Sequence, residues 1–500
     1  MRDAAFLAVL AFAACAATPT APRRPPNVVV IFIDDMGYQD IGPFGGTTKT
    51  PNLDRMAREG MRFVDFHVST AVCSASRAAL LTGCYHTRVS IHGAFGPDAV
   101  TGLHPDEMTL AELCKQKGYA TACFGKWHLG HHPKFLPLQQ GFDEFFGLPY
   151  SNDMWPLHPA YADLPPDATK RKQGYPSLPL LEGNAVVDAE VTGEDQAQLT
   201  KWFTERAVAF IARKHDQPFF LYVPHSMVHV PLFASPEFAG TSGRGTFADV
   251  VMEIDWSVGR ILDALAEHGI DDDTMVVFTS DNGPWLSYGD HAGSAGPFRE
   301  GKGTAWEGGH RVPMIVRWPG FVPEGSECRE LAATFDLLPT IAARIGAPLP
   351  PLPIDGVDLT PWLRGEVVLR APHEAFYNWY DGQLRGVRSG NWKLALPHRY
   401  ATLDGKAGGS GGRPVPYVTK TTGLALYDLD ADPGEQHDVA AAHPDIVAKL
   451  QQFATQARAE LGDKEPNRTG NPDSTGNPDS TINSVRPVGR LEVGDAKLQR

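Results

Sequence analysis

Residues 27–35 read NVVVIFIDD, a short run of β-branched and apolar residues that stops at two aspartates. An uninterrupted apolar run of this length is typical of a strand that is buried on both faces of a largely parallel sheet. Four similar runs follow and alternate with helix-like segments, so the sequence predicts an α/β fold. These runs cover residues 119–124, 218–223, 274–279 and 312–318.

Polar residues stand at the ends of four of these runs, where an open α/β sheet binds its ligands. They are Asp34 and Asp35, Lys126 and His128, His225 and His229, and Asp281 and Asn282. An acidic pair after a strand can also cap a following helix. Three carboxylates and a carboxamide at one rim would crowd negative charge unless a cation were present, and oxygen ligands favour Ca²⁺ or Mg²⁺ over zinc.

The chain divides into predicted regions that differ in composition and in the pattern of apolar residues. Helices are predicted over 52–59, 76–81, 110–117, 196–214 and 247–268, with an N-cap near Asn52 and Asp54 and with Cys73 just before the second helix. Beyond residue 381, alternating strands at 384–396 and 424–429 and a helix at 444–461 predict a small α+β lobe. The predicted regions are a leader and linker (1–26), a catalytic domain (27–380), a C-terminal subdomain (381–465) and a disordered low-complexity tail (466–500).

The N-terminus predicts export. Arg2 precedes an apolar run, residues 4–14, that is shorter than the roughly 20 residues needed to span a bilayer. The sequence FAAC ending at Cys15 is similar to a bacterial lipobox, so the protein is expected in the periplasm or at the cell surface, tethered through an acylated Cys15 or released by ordinary cleavage. A net charge of −14 makes nucleic acid a poor partner.

The remaining cysteines do not suggest a metal site. Cys84, Cys114, Cys123 and Cys328 are scattered, with no CxxC spacing, so a zinc site built from them is improbable. Export makes disulfides possible, and the sequence does not distinguish among three full pairings.

The most specific local pattern is AVCSASRAALLTG, residues 71–83, with Cys73 and Arg77 four positions apart. A buried cysteine and a surface arginine would be the ordinary interpretation of these two residues alone. The pattern resembles the activation signature of the formylglycine-dependent sulfatases, in which the cysteine becomes an aldehyde. Ala75 stands where proline is commoner in that signature, which leaves open which maturation enzyme accepts the site.

Further segments resemble the same family in the same order. GYATACFGKWHLG (118–130) is similar to its second signature, with Phe124 in place of a smaller residue. The other matching segments are PYSND (149–153) with Ser151, VPHSMVHVP (223–231) with His229 and the runner-up His225, GKGTAWEGG (301–309) with Lys302, and the architectural residues Glu307, Arg311, Asp336, Asp432 and Glu435. The resemblance covers about residues 27–461.

The resemblance implies an alkaline-phosphatase-like fold, with a large mixed sheet between helices and a smaller antiparallel lobe. It implies a Ca²⁺ site, with Mg²⁺ as the alternative, formed by Asp34, Asp35, Asp281, Asn282 and the formylglycine from Cys73. Arg77 would position that group, and Lys126, Lys302 and Ser151 would contact the sulfate. His229, with Lys302, would protonate the departing alcohol, and His128 would act as the base.

The function so implied is hydrolysis of aryl, alkyl or sugar sulfate monoesters. One alternative is a phosphodiesterase or phosphonate monoester hydrolase of the same superfamily, although two-metal relatives usually carry Asp-His where this chain has Asp281-Asn282. The other is a non-catalytic polysaccharide-binding lipoprotein. The residues expected either to shape the leaving-group pocket or to be ordinary surface and core are Trp155, Tyr161, Tyr175, Lys170, Arg171, Lys172 and His398.

Overall fold

The computed structural model describes residues 24–161, 174–463 and 485–498. The predicted leader with Cys15, the basic residues 170–172 and the tandem GNPDST repeat lie outside the described residues.

Ten of the strands form one large mixed sheet. In chain order the strands are β1 (Asn27–Ile33), β2 (Met61–Phe63), β3 (Phe66–His67), β4 (Thr101–Gly102), β5 (Ala120–Lys126), β6 (Glu144–Leu148), β7 (Leu180–Glu182), β8 (Ala185–Asp188), β9 (Phe219–His225), β10 (Thr274–Ser280), β11 (Met314–Arg317), β12 (Ser326–Cys328), β13 (Ala332–Ala333), β14 (Phe376–Tyr380), β15 (Gln383–Ser389), β16 (Trp392–Ala395), β17 (His398–Thr402), β18 (Val418–Thr422), β19 (Ala425–Asp428) and β20 (Gly489–Arg490). The large sheet has the order β12-β2-β11-β10-β1-β9-β5-β6-β7-β8.

The centre of this sheet is parallel, as the apolar runs predict. Strand β1 lies between β9 and β10 and is parallel to both, and β5 is parallel to β9 and β6. Strand β11 runs antiparallel to β10, which makes the sheet mixed. The carboxyl ends of β1, β5, β9 and β10 therefore reach the same edge.

Helices cover both faces of the sheet. They are α1 (Pro51–Arg58), α2 (Cys73–Thr82), α3 (Leu110–Lys115), α4 (Gly193–Lys214), α5 (Thr246–Glu267), α6 (Glu307–His310), α7 (Leu337–Ile345), α8 (Thr360–Leu363) and α9 (Pro444–Leu461). Alternate residues of β1 belong to two separate cores: Val28, Val30 and Phe32 pack with residues of α2, α3 and α7, and Val29, Ile31 and Ile33 with residues of α4 and α5. The predicted two-sided burial is confirmed.

The small lobe contains an antiparallel sheet of order β14-β15-β16-β19, covered by α9. It is joined to the main lobe by buried charges. Lys393 Nζ lies 2.9 Å from Glu307 Oε1 and 2.8 Å from Glu435 Oε1, and Arg388 Nη1 lies 2.6 Å from Asp65 Oδ1. The expected architectural role of Glu307 and Glu435 is consistent with these contacts.

Four helices begin earlier than the sequence predicts, and among them α4 begins at Gly193 and α5 at Thr246. Helix α1 begins at Pro51 after Thr50, so neither Asn52 nor Asp54 is its N-cap. Helix α2 begins at Cys73 itself, after the extended residue Val72, and not beyond it. In each case the local residue preferences located the helix but missed its first one to three residues.

The prediction of a disordered tail from residue 466 is wrong for residues 485–498. Strand β20 pairs with β4, and Arg486 Nε lies 2.8 Å from Glu107 Oε1. Composition suggested disorder because apolar residues are sparse there, but backbone pairing and the partly buried ion pair of Arg486 with Glu107 hold the segment.

The described cysteines, Cys73, Cys84, Cys114, Cys123 and Cys328, are buried free thiols. Among the residues with described structure, no helix combines the length and apolar character needed to cross a membrane.

Candidate active site at the sheet rim

The register between β1 and β10 brings four oxygen-bearing residues together. Ile33, the last residue of β1, lies opposite Ser280 of β10 and His225 of β9. The next residues are therefore level: Asp35 N donates to Asp281 Oδ1 at 3.1 Å, and Asn282 Nδ2 donates to Asp35 Oδ1 at 2.7 Å. The structure brings Asp34, Asp35, Asp281 and Asn282 to one rim.

Cys73 lies at this rim as the first residue of α2. Its Sγ is 3.4 Å from Asp34 Oδ1 and 3.3 Å from Lys302 Nζ. One ligand atom from each of Asp34, Asp35, Cys73 and His229 lies within 4.8 Å of the others. Burial, together with the charge of Asp34, raises the pKa of the Cys73 thiol. The unmodified side chain is therefore a neutral thiol and a poor nucleophile.

Three cations face the carboxylates: Lys126 and Arg77 are buried, and Lys302 is partly buried. Lys126 pairs with Asp34 and also donates to Ser151 Oγ at 3.0 Å. Lys302 Nζ lies 2.6 Å from Asp35 Oδ1, and Arg77 Nη2 lies 2.8 Å from Asp281 Oδ2. Positive and negative groups alternate, so the site contains many charges but has no large net electrostatic field.

These pairs set the ionisation of the carboxylates. Burial alone would raise the pKa of Asp34, but Lys126, His229 and Arg77 together hold it well below its usual value. Burial and the charge of Asp34 raise the pKa of Asp281 to about 7. Further positive charge at this rim would keep both groups ionised.

The two histidines of the site have defined tautomers. His229 Nδ1 donates to Val230 O at 2.6 Å, and its Nε2 lies 3.6 Å from Asp35 Oδ2. His128 Nε2 donates to Phe95 O at 2.9 Å, which leaves Nδ1 as the unprotonated nitrogen of the neutral ring. Burial lowers the pKa of both rings, so both are neutral near pH 7.

His225, the runner-up for the leaving-group role, has a different environment. Its Nε2 lies 3.1 Å from Ser257 Oγ of α5, and its ring packs beside Phe203 of α4. Burial lowers the pKa of His225 to about 3. Its observed contacts are with the covering helices, whereas His229 lies beside the carboxylates.

The donor set fits a hard divalent cation. Asp35 Oδ2 and Asn282 Oδ1 are buried oxygens without a hydrogen-bond partner among the described residues. Unpartnered buried oxygens are costly, and Ca²⁺ or Mg²⁺ would satisfy them. A second cluster, Asp65, His67 and Glu307, already has Arg388 and Lys393 as its cationic partners.

One site residue was not found from the sequence. The ring centroid of Trp285 lies 5.6 Å from that of His229 and 4.8 Å from Lys302 Nζ. Its only sequence signal is its position three residues after Asn282. Trp285 therefore borders both groups assigned to the leaving-group side.

The aromatic residues of the loop after Ser151 have other surroundings. Trp155 is buried, and its Nε1 donates to Val191 O at 2.8 Å, which makes it a core residue. Tyr175 is half-buried, and the side chain of Tyr161 lies outside the described residues. His398 is buried in the small lobe beside Trp306, as its core interpretation predicts.

Comparisons with known proteins agree with this geometry. The family model described as Sulfatase matches residues 26–347. Arylsulfatase A of Homo sapiens is 39% identical over 459 residues, covering 87% of this chain and 88% of that protein. N-acetylgalactosamine-6-sulfatase of Canis lupus familiaris is 40% identical over 457 residues, covering 86% and 84%. The PsFucS1 sulfatase from Pseudoalteromonas sp. has a TM-score of 0.77 at 27% identity, covering 87% of this chain and 90% of that chain.

Proposed function

The chain belongs to the sulfatase family, and we propose that it is an exported sulfuric ester hydrolase that uses a formylglycine made from Cys73. One observation carries this proposal: the Cys73 side chain lies among Asp34, Asp35, Lys302 and His229 at the sheet rim. An unmodified buried thiol has little use there. A hydrated aldehyde would supply two hydroxyl groups on one carbon, one for attack and one for release of sulfate.

The residues around Cys73 provide the charge that a sulfate ester requires. Asp34, Asp35, Asp281 and Asn282 would hold Ca²⁺, with Mg²⁺ as the alternative, and a hard cation would supply positive charge to the sulfate oxygens. Lys126 and Lys302 add two fixed ammonium groups. Such preorganised charge in a buried site stabilises a transition state by several kcal/mol.

Two histidines would transfer protons. His229 lies next to Asp35 and Trp285 and would donate a proton to the departing alcohol. Because the ring is neutral near pH 7, it would have to be protonated first. His128 Nδ1 would take the proton whose loss accompanies release of sulfate. Arg77, fixed by Asp281, would position the groups contributed by the start of α2.

The substrate class is a sulfate monoester with a ring-shaped leaving group, either aryl or carbohydrate. The half-buried Trp285 beside His229 favours a leaving group with a flat or apolar face. The relatives named arylsulfatase A and N-acetylgalactosamine-6-sulfatase represent these two classes. Export, a tether through Cys15 and a maturation enzyme acting on Cys73 are parts of the same proposal.

A direct test starts with protein purified from a host that supplies formylglycine maturation. Peptide mass spectrometry across residues 71–77 should show the aldehyde in place of the Cys73 thiol. Hydrolysis of aryl sulfates and sulfated sugars should depend on that conversion and be lost in Cys73→Ala. Full activity with an intact thiol would contradict the mechanism, and an intact thiol without activity would favour the polysaccharide-binding alternative.

The phosphonate or phosphodiester hydrolase remains the second candidate. Matched sulfate and phosphate esters of one alcohol should be compared by kcat/KM. We expect the sulfate ester to be preferred, because Asn282 stands where two-metal relatives usually have histidine. A higher kcat/KM for the phosphate ester would reverse the assignment.

A further inference from the structure

Residues 485–498 follow the small lobe in sequence but lie against the main lobe, and we call them the C-terminal strap. Arg486 N donates to Arg88 O at 2.7 Å, and Ser90 Oγ donates to Arg486 O at 2.6 Å. A few residues later, Gly489 pairs with Gly102, and Leu491 N donates to Val100 O at 2.9 Å. The strap therefore holds both ends of the segment 91–99.

Segment 91–99 links His128 to the start of α2 through the backbone of Phe95. The backbone of Phe95 accepts a hydrogen bond from His128 Nε2 at 2.9 Å and donates one to Ser74 Oγ at 3.0 Å. Ser74 directly follows Cys73. Phe95 thus fixes the direction of the His128 ring relative to the residue next to the proposed nucleophile.

The segment has packing contacts near its start and at Phe95: Ile91 is buried in the core on the α2 side of the sheet, and the side chain of Phe95 packs against that core. Gly93 and Ala94 between them are exposed, and Phe95 is half-buried. A Cβ added at Gly93 or Gly96 would meet no atom within 4 Å. Glycines in open space allow the backbone many conformations, so the position of the Phe95 backbone depends on the packing of its side chain and on what holds the segment ends.

The strap itself is firmly seated. A Cβ added at Gly489 would come within 2.8 Å of Phe135 Cε1 and 2.9 Å of Leu103 O, so only glycine fits. Arg486 Nη1 donates to Pro353 O at 2.9 Å, in addition to the ion pair with Glu107. The strap can therefore act as a fixed clamp.

We propose that the C-terminal strap positions His128 by clamping both ends of segment 91–99. The inference rests on the proposed function, because it concerns the step in which His128 accepts a proton as sulfate leaves. The strap touches neither the carboxylates nor the proposed leaving-group histidine in the contacts described. Loosening it should therefore slow sulfate release and leave the first chemical step intact.

The test uses the full-length matured enzyme and the variant Gly489→Val, in which the added side chain forces the strap away from Phe135 and Leu103. The matched control is Val493→Ser, since Val493 belongs to the same segment and is fully exposed. Hydrogen exchange of residues 91–102 reports the clamp without any reference to activity. We expect exchange there to be faster in Gly489→Val and unchanged in Val493→Ser.

Steady-state kinetics with an aryl sulfate that has a good leaving group then show whether sulfate release is the step that slows. When only the second step slows, kcat and KM fall together and kcat/KM is unchanged, whereas loss of folded enzyme lowers kcat at constant KM. We expect a fall of about 10- to 100-fold in both constants for Gly489→Val. Unchanged exchange in segment 91–102, or faster exchange with unchanged kcat and KM, would overturn the proposal.

A milder variant covers the case in which Gly489→Val does not fold. Ser90→Ala removes the side-chain hydrogen bond from Ser90 Oγ to Arg486 O, and it should shift exchange, kcat and KM in the same direction by a smaller factor. If Ser90→Ala changes none of the three, the clamp is not used. Failure of the wild-type enzyme to hydrolyse any sulfate ester would reject the proposed function, while the exchange experiment would still test the clamp.

Discussion

At the scale of single residues, Trp285 offers a sharp test of the leaving-group side. Its ring touches His229 and lies under the Lys302 ammonium, an arrangement that contributes about 1–2 kcal/mol in a desolvated site. Trp285→Ala should lower kcat/KM about 5- to 30-fold for a ring-shaped sulfate ester. Trp202→Ala is the matched control, because Trp202 lies on α4 beside Phe146 and Arg206, away from the site residues. Equal losses in both variants would contradict the role of Trp285.

Asp35 tests the cation site. Asp35→Asn removes the charge of a carboxylate that has one unpartnered oxygen, so Ca²⁺ affinity measured by calorimetry should fall about 100-fold or more. Treatment of the wild-type enzyme with a chelator should abolish activity, and added Ca²⁺ or Mg²⁺ should restore it. Asp290→Asn, at an exposed carboxylate eight residues after Asn282, is expected to bind the ion normally. Unchanged affinity in Asp35→Asn would exclude this carboxylate as a ligand.

Sequence alone located the strand-end residues because parallel strands bring their carboxyl ends to one edge. Asp34, Asp35, Asp281 and Asn282 needed only the positions of two strands. The contacts of Trp285 and Phe95 arise from loop conformations that no periodic pattern encodes. The sequence favoured His229 over His225 by resemblance alone, and the structure separates them physically: His225 contacts α4 and α5, whereas His229 lies beside Asp35.

At the scale of elements, the junction between the two lobes depends on Lys393 of β16. This ammonium lies between Glu307 and Glu435, and all three groups are buried. Lys393→Met should reduce the free energy of unfolding by about 3–5 kcal/mol, because it removes the ammonium paired with the buried Glu435. It also leaves Glu307 with the more distant Arg388 and Arg311 as its cationic partners. Chemical denaturation measures this loss, and Glu435→Gln in the same chain should recover part of it.

The exposed pair Lys201 and Glu237 on the protein surface provides the comparison. Lys201→Met should cost about 0–1 kcal/mol, since water screens an exposed pair. A similar cost for Lys393→Met would mean that the lobes are held by apolar packing alone.

Element positions followed closely from the sequence where patterns were long and regular. The strand Asn27–Ile33 and the helix Pro444–Leu461 have the predicted bounds. The errors came from segments whose order is imposed by distant partners, such as β20, which pairs with β4 across almost four hundred residues of chain. Composition reports local burial, and it cannot anticipate such pairing.

At the scale of the whole molecule, stability should depend on pH through its buried neutral histidines. Burial lowers the pKa of both His225 and His310 from 6.5 to about 3. Between these values the unfolded chain binds more protons than the folded one, so the free energy of unfolding falls as the pH decreases from about 6.5 to about 3. Each such histidine contributes a slope of about 1.4 kcal/mol per pH unit.

Thermal unfolding at a series of pH values measures this slope. His310→Gln should make the decline shallower, and His437→Gln, at a histidine whose side chain is 81% exposed, should not. An identical decline in all three proteins would mean that other groups control acid unfolding.

The burial of Cys73 also has a consequence for biosynthesis. Its side chain belongs to the first turn of α2, only 2% of the residue is exposed, and the surrounding groups come from positions as distant as Lys302. Any enzyme that oxidises this sulfur would have to reach it before the newly synthesised chain folds around it. If the proposed conversion takes place, folding of the new polypeptide would compete with it, and a host that converts the chain more slowly than the chain folds would accumulate well-folded copies that keep the thiol.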